Sequence, residues 1–536
     1  MGYELEKTTL SKFNRRVGPN GGRWIYRRAG ASTPQAIGGN LAPGEDYVEY
    51  SIFRSGGSFE GENTAFYIQD SWDVNDRLTI NAGVRLDQFA LFNADGKQYV
   101  DFDEEIGPRL SFTYDPTGEG RDRVFGSYGI YYLPVASNTA FRQAGAELFY
   151  SEYYRVGNVA GQPFAADGSP AARGAQIVGW SGATACPGGL GAGFSASGTV
   201  GCRVTGRGTV PDTSSLTAQN LESTQEEEWI LGYERQVNDL WTVTASVNYR
   251  DLLRNAEDVA IDAAVLAYCS AKGIVGCDNI YTGFHQYVIV NPGVASTIVL
   301  SDILPGDTAR RTVNFSARDL NYPKATRTYT ALELSFERAF DGVWALQGSW
   351  TISESTGNTE GYVKSDNGQT DAGITQDFDQ PGLTDGSDGL LPNHRGHVFK
   401  LFGSYQLTEN LLVGGNMNIS SPRPYGCIGV HPTDIFAQAY GSASYYCGGK
   451  LTPRASQFES DWIKQIDMSV RYNVPLNFMS GDLVLRADIF NIFNFEGTTD
   501  LNEFGELDNG TADTNYRNPL SYQTPRFVRL GFDLTF

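Results

Sequence analysis

The chain has 536 residues, 40% hydrophobic and 19% charged, with a formal net charge of −21. This apolar content excludes wholesale disorder, and the acidic balance leaves no electrostatic footprint for phosphate backbones, so no nucleic acid is expected as a partner. The 62 Gly, 30 Phe and 29 Tyr against only 4 Met favour strands and turns.

From the N-terminus, Glu4, Glu6, Lys7, Lys12, Arg15 and Arg16 interrupt the first residues, and no apolar signal core follows them. "GYELEKTT" itself reads as a strand. The segment Phe66–Trp72 alternates poorly, because Asp70 shares parity with Phe66 and Ile68. Leu78, Ile80, Ala82, Val84 and Leu86 then alternate with Thr79, Asn81, Arg85 and Asp87, the period of a half-buried strand. The same period recurs at Trp241–Arg250, Leu411–Ser420 and Leu483–Ile489. In the last strand Val528, Leu530, Phe532, Leu534 and Phe536 form one apolar face.

The connections sort by length. Short polar turns at Asp73–Arg77, Val237–Leu240, Ala339–Gly342 and Leu407–Asn410 join strands at one end, with longer ones at Asp115–Asp122 and Val474–Gly481. Long segments near 90–105, 134–225, 254–325, 354–393, 421–460 and 495–520 join them at the other. No segment reads as a transmembrane helix. Strands of about ten residues with this asymmetry predict an all-β, transmembrane, antiparallel up-and-down β-barrel wall with long extracellular loops. The count is about 14–16 strands. Trp241 and Trp344 open strands after short turns, and Tyr114, Tyr405 and Tyr472 close strands before them, which predicts an interfacial aromatic girdle. Arg85, Arg109, Arg250, Glu333, Lys400, Asp467, Arg471 and Arg486 share parity with the polar positions of their strands and are expected to face the lumen.

The loops carry the remaining candidates. Cys186 with Cys202, Cys269 with Cys277 and Cys427 with Cys447 form three local pairs, read as loop disulfides of an oxidising compartment; six reduced thiols are the alternative. Asp262–Ala271 reads as a short helix held near Cys277 by Cys269. Phe149, Tyr150, Tyr153 and Tyr154 either stack on a ligand or pack together. The loop 354–393 sets Glu354, Glu360, Asp366, Asp371, Asp377, Asp379, Asp385 and Asp388 against Lys364. A solvated acidic surface is the first reading. A Ca²⁺ site at Asp377, Asp379, Asp385 and Asp388 is the second. His394 and His397 lie three apart on a strand and point to opposite faces, an awkward pair for a metal. No catalytic constellation and no cofactor-binding motif stands out, so the chain does not read as an enzyme.

Five segments carry a family resemblance: "FYIQDSWDVNDRLTINAGVRLD" from Phe66, "IGPRLSFTYDP" from Ile106, "HRGHVFKLFGSYQL" from His394, "RADIFNIFNF" from Arg486 and the C-terminal "SYQTPRFVRLGFDLTF". They resemble the barrel of TonB-dependent outer-membrane receptors, most of all the Oar-like subgroup. The resemblance implies a multi-pass barrel in the bacterial outer membrane with outer-membrane lipid around it. It implies uptake of an extracellular substrate that the sequence does not name, powered by the TonB system acting on a plug. Arg529, Gly531, Leu534 and Phe536 resemble the β-signal read by the barrel-assembly machinery. A signal sequence, a TonB box and a plug, which the family has, are not visible. Residues 1–536 are therefore read as a partial barrel domain, the C-terminal part of a receptor whose complete barrel has about 22 strands. TonB would act only through the plug that is missing from this chain. A surface-binding or adhesion barrel without transport is the alternative.

Overall fold

β-branched and aromatic residues at every second position favour the pleated backbone, because each then packs on one face while its polar neighbours take the other. The computed structural model describes residues 1–18, 21–30, 41–157, 169–180, 182–187, 193–281, 285–369, 375–475 and 482–535, so most of the turn Val474–Gly481 lies outside the described residues. Its principal sheet has 20 strands. Fourteen long ones form a continuous wall: β1 (Gly2–Arg15), β2 (Asp46–Asn75), β3 (Leu78–Phe92), β4 (Gln98–Tyr114), β5 (Asp122–Leu133), β6 (Thr224–Gln236) and β7 (Trp241–Arg254) come first. They are followed by β8 (Arg327–Arg338), β9 (Trp344–Gly357), β10 (His397–Thr408), β11 (Leu411–Ser420), β12 (Ile463–Val474), β13 (Asp482–Phe490) and β14 (Phe527–Thr535).

Each wall strand pairs antiparallel with the next in chain order, from β1 on β2 to β13 on β14. This is the up-and-down order expected from the sequence. Among the described residues β1 pairs only with β2 and β14 only with β13, so the sheet has two open edges.

The register makes two continuous faces. Ala82, Leu110, Tyr128, Trp229, Tyr249 and Thr330 stand opposite one another across six strands. One residue along, the row is Gly83, Arg109, Gly129, Glu228, Arg250 and Tyr329. The first row belongs to an apolar face that no protein core covers: Leu231 is 58% and Leu530 76% exposed. Near the short turns this face ends in rings. Trp344 stands opposite Tyr405, Trp241 packs edge-on against Trp344 at 6.0 Å, and the Arg338 guanidinium lies 3.7 Å over Trp344. Asp70 does sit on the apolar face, opposite Ala82, with its carboxylate accepting from the Ser71 amide at 2.9 Å.

Two segments depart from the expected lengths. The 90–105 stretch is not a long loop, because β3 runs to Phe92 and β4 starts at Gln98. Likewise β2 continues past the wall, and its half near Asp46 pairs with the strands Gly22–Arg28 and Leu148–Val156. The largest buried core lies beyond the wall too, in the β7–β8 connection, where Val259, Ile261, Val288, Val290, Ile298 and Phe315 pack together.

Val247 and Ser246 give a direct test of the two faces. Val247→Arg on the apolar face should lose about 2–4 kcal/mol in lipid vesicles, and Ser246→Arg on the polar face about 1 kcal/mol or less, read by urea unfolding.

Candidate functional site: a cavity among the long loops

The long loops build one folded mass with its own core, disulfides and buried ions. All three local cysteine pairs are disulfides: Cys186–Cys202, Cys269–Cys277 and Cys427–Cys447. The helix foreseen in the second long loop spans Asp262–Lys272 and is tied back through Cys269. The 421–460 and 495–520 loops interlock around the third disulfide. A Cβ at Gly505 would lie 2.2 Å from Cys427 Sγ, so only glycine allows that approach. Arg423 reaches across to Asp500 at 3.0 Å and Glu503 at 2.8 Å.

The acidic loop differs most from its sequence reading. Lys364 and Asp377 are fully buried and pair at 2.6 Å. Arg454, from the next long loop, pairs with Asp377 and lies 3.4 Å from Asp366. The Tyr445 hydroxyl donates to Asp366 at 2.8 Å and accepts from Arg454 Nε at 2.8 Å. Two cations thus balance two carboxylates in a buried interior. Burial disfavours the Asp377 charge, but Arg454 and Lys364 more than offset it and hold that carboxyl below the usual range. Asp377 is therefore unavailable to Ca²⁺. Asp379 is half-buried, Asp385 meets His431 at 3.3 Å, and Asp388 is exposed. The four do not converge as a ligand set among the described residues. Asp371 lies outside them. The one cluster with metal-ligand spacing among the described residues, Glu152 with Cys186 and Cys202, is occupied by the disulfide.

Between these loops lies a cavity of about 960 Å³. One wall is the strand Val200–Arg207 with Phe53 and Phe149. A second is made by Asn279 and Ile280 with His285–Tyr287, Ser301 and Asp302, and a third by Asn367–Gln369 with Gln376, Asp379 and Tyr440. The second wall is held by hydrogen bonds. Asp262 accepts from the His285 amide at 3.2 Å, and Gln286 Nε2 donates to the Ser215 and Val299 carbonyls at 3.1 and 3.0 Å. His285 Nε2 meets Asp302 at 2.6 Å. Burial opposes charging His285, but the hydrogen bond and charge of Asp302, with Asp262 behind it, outweigh that and raise its pKa; Arg207 acts in the opposite sense. Tyr287 and Tyr440 join hydroxyl to hydroxyl across two loops. Aromatic faces, amides and a few charges in a concave space are the features of a ligand site. Of the four aromatics singled out by sequence, Tyr150, Tyr153 and Tyr154 are buried among other rings, and only Phe149 reaches the cavity.

The eight charged wall residues all fall on the polar face by register. Arg85 pairs with Glu4 at 2.8 Å and Asp87 at 2.7 Å, Arg250 with Glu228, and Arg486 with Asp533. Arg109 lies over Tyr131 at 5.0 Å, and Asp467 accepts from the Asn491 amide at 2.8 Å. Glu333, Lys400 and Arg471 have no ion-pair partner among the described residues, and Arg471 stands opposite Arg486. In β14 Arg529 pairs with Asp488 at 2.7 Å, Gly531 has open space where a Cβ would be, and Leu534 is exposed. Phe536 lies outside the described residues.

Residues 103–411, more than half of the chain, match the family model described as "Outer membrane beta barrel domain". The chain belongs to the outer-membrane β-barrel family. Residues 2–177 also match "TonB dependent receptor-like, beta-barrel". The TonB-dependent transporter Oar of Myxococcus xanthus is 26% identical over 515 residues, which cover 88% of this chain and 42% of that protein. The chain thus spans less than half the length of this relative. Among solved structures, the FrpB iron transporter of Neisseria meningitidis is similar at 11% identity and TM-score 0.45, covering 98% of this chain and 62% of that one. The ferripyoverdine receptor of Pseudomonas aeruginosa is similar at 9% identity and TM-score 0.44, covering 91% and 44%. The resemblance read from the strand segments is the one that the match over residues 2–177 and the Myxococcus relative show. It places this barrel in the outer membrane.

Two outcomes test the loop mass. Lys364→Met leaves two buried carboxylates on one cation and should cost about 3–5 kcal/mol, read as early proteolysis within 354–393, with Lys364→Arg milder. The raised His285 pKa means that its contribution is complete below the ordinary value of 6.5 and is lost as pH rises through the higher folded value. His285→Asn should flatten that fall, read by hydrogen exchange at Tyr287–Val290.

Proposed function

We propose that this chain forms the wall and the ligand-capturing loops of an outer-membrane receptor for TonB-energised uptake. The observation that carries this reading is the loop cavity, set in a mass tied by three disulfides and a buried ion network. The polar wall face supports it. Among the described residues Glu333, Lys400 and Arg471 are charges without an ion-pair partner in the wall, as expected of groups that meet a plug inside a barrel. The two open edges and the 42% span of the Myxococcus relative support a further point. Residues 1–536 are part of a larger barrel domain, completed by strands outside them, and TonB acts on a plug supplied from outside them. The barrel-assembly machinery would read β14 through Arg529, Gly531, Leu534 and Phe536.

The test is photocrosslinking from the polar face. With a benzophenone side chain at Glu333, in the native outer membrane, the expected adduct joins β8 to a plug polypeptide carrying a TonB box. Adducts confined to wall and loop residues would contradict energised uptake and favour a surface-binding barrel.

A further inference from the structure

Three features of the loop cavity point to one ligand chemistry. The first is a strand edge. The strand Val200–Arg207 pairs along one side with Leu148–Val156, from Cys202 opposite Glu152 to Arg207 opposite Leu148. On its other side the two-residue strand Thr184–Ala185 reaches only Val200 and Cys202. Among the described residues nothing pairs with that side from Val204 to Arg207, and those residues line the cavity. Alternate residues of a paired strand aim both N–H and C=O outward, so the edge sends backbone donors and acceptors into the cavity. The register shift between Val204 and Gly206 bends the strand at this point.

The second feature is Gln143, the last residue of the helix Ser137–Gln143. It is 9% exposed, lines the same cavity, and neither its Nε2 nor its Oε1 has a hydrogen-bond partner among the described residues. A buried amide with both functions unmet is costly unless something supplies them. Its adjacent donor and acceptor complement a peptide bond. The third feature is the edge-on pair Phe53–Phe149, 5.5 Å between ring centres, which offers an apolar wall beside that edge.

We propose that the cavity binds an extended peptide. The peptide adds as a short strand to the free edge Val204–Arg207, presents an amide to Gln143, and sets a side chain against Phe53 and Phe149. Main-chain pairing would supply affinity and the aromatic wall selectivity, the division of labour of strand addition. The cavity of about 960 Å³ admits a peptide of several residues. A glycan could satisfy Gln143, but its hydroxyls do not repeat at the spacing of a strand edge. This inference rests on the cavity being the receptor's ligand site.

The test uses the full chain in detergent and a mixture of end-blocked hexapeptides of randomised sequence without cysteine. A second mixture, N-methylated at alternate residues, cannot pair along an edge. Affinity selection read by mass spectrometry should retain the first at least tenfold over the second, and hydrogen exchange at Val204–Arg207 should slow on binding. Gln143→Leu should lower retention several-fold with the loop disulfides intact. Equal retention of the N-methylated mixture, unchanged exchange at the edge, or retention of malto-oligosaccharides in place of peptides would overturn the proposal. Any of these leaves the receptor reading to its own crosslinking test.

Discussion

In hydrocarbon no water is present to satisfy a backbone N–H or C=O, so a chain that crosses it as strands must pair every strand with a neighbour. That constraint organises this molecule. Thirteen consecutive antiparallel pairings run from β1 to β14 with few register shifts. Fixed register makes side-chain parity absolute, because a slip of one residue would exchange the faces along a whole strand. The lipid-facing rows and the ion pairs behind them follow from it. Arg250 pairs with Glu228 directly opposite, and Arg85 reaches across β2 to Glu4, because strand pairing puts each pair on one face.

The loops obey different rules, since water surrounds them and they must make their own core. The β7–β8 connection does so with a cluster around Val259, Val288 and Phe315. Elsewhere smaller apolar clusters, such as those around Tyr150 and Leu383, are joined by disulfides and by the Lys364–Asp377–Arg454–Asp366 network. A buried ion network is weak as a source of stability but strict in geometry, because a displaced member leaves a bare charge in a buried interior. That strictness suits a surface that must hold a cavity open between three loops.

How legible this was in the sequence depended on the range of the interaction. Wall strands were readable because alternation is local and the short turns mark their ends; Leu78–Leu86 and Trp241–Arg250 needed no partner to be recognised. The helix at Asp262 and the three disulfides were readable for the same reason, since their partners lie close in the chain. The cavity was not. It joins Phe53, Gln143, Arg207, His285 and Tyr440, which no sequence pattern connects. The acidic loop misled for want of one residue: Arg454 lies far from Asp377 in sequence, and without it Asp366 and Asp377 look like solvated surface. The 90–105 stretch misled because β3 and β4 continue into a buried core where Phe89, Leu91 and Val100 pack, a partner set that the local sequence does not show.

The central claim is that one face of this sheet meets lipid and the other does not. Nitroxide labels placed singly along β7, from Thr242 to Tyr249 in reconstituted vesicles, test it most directly. Collision with dissolved oxygen should peak at 243, 245, 247 and 249, and collision with a water-soluble nickel chelate at the positions between. Accessibility without a period of two, or equal exposure of both sets to the chelate, would contradict it.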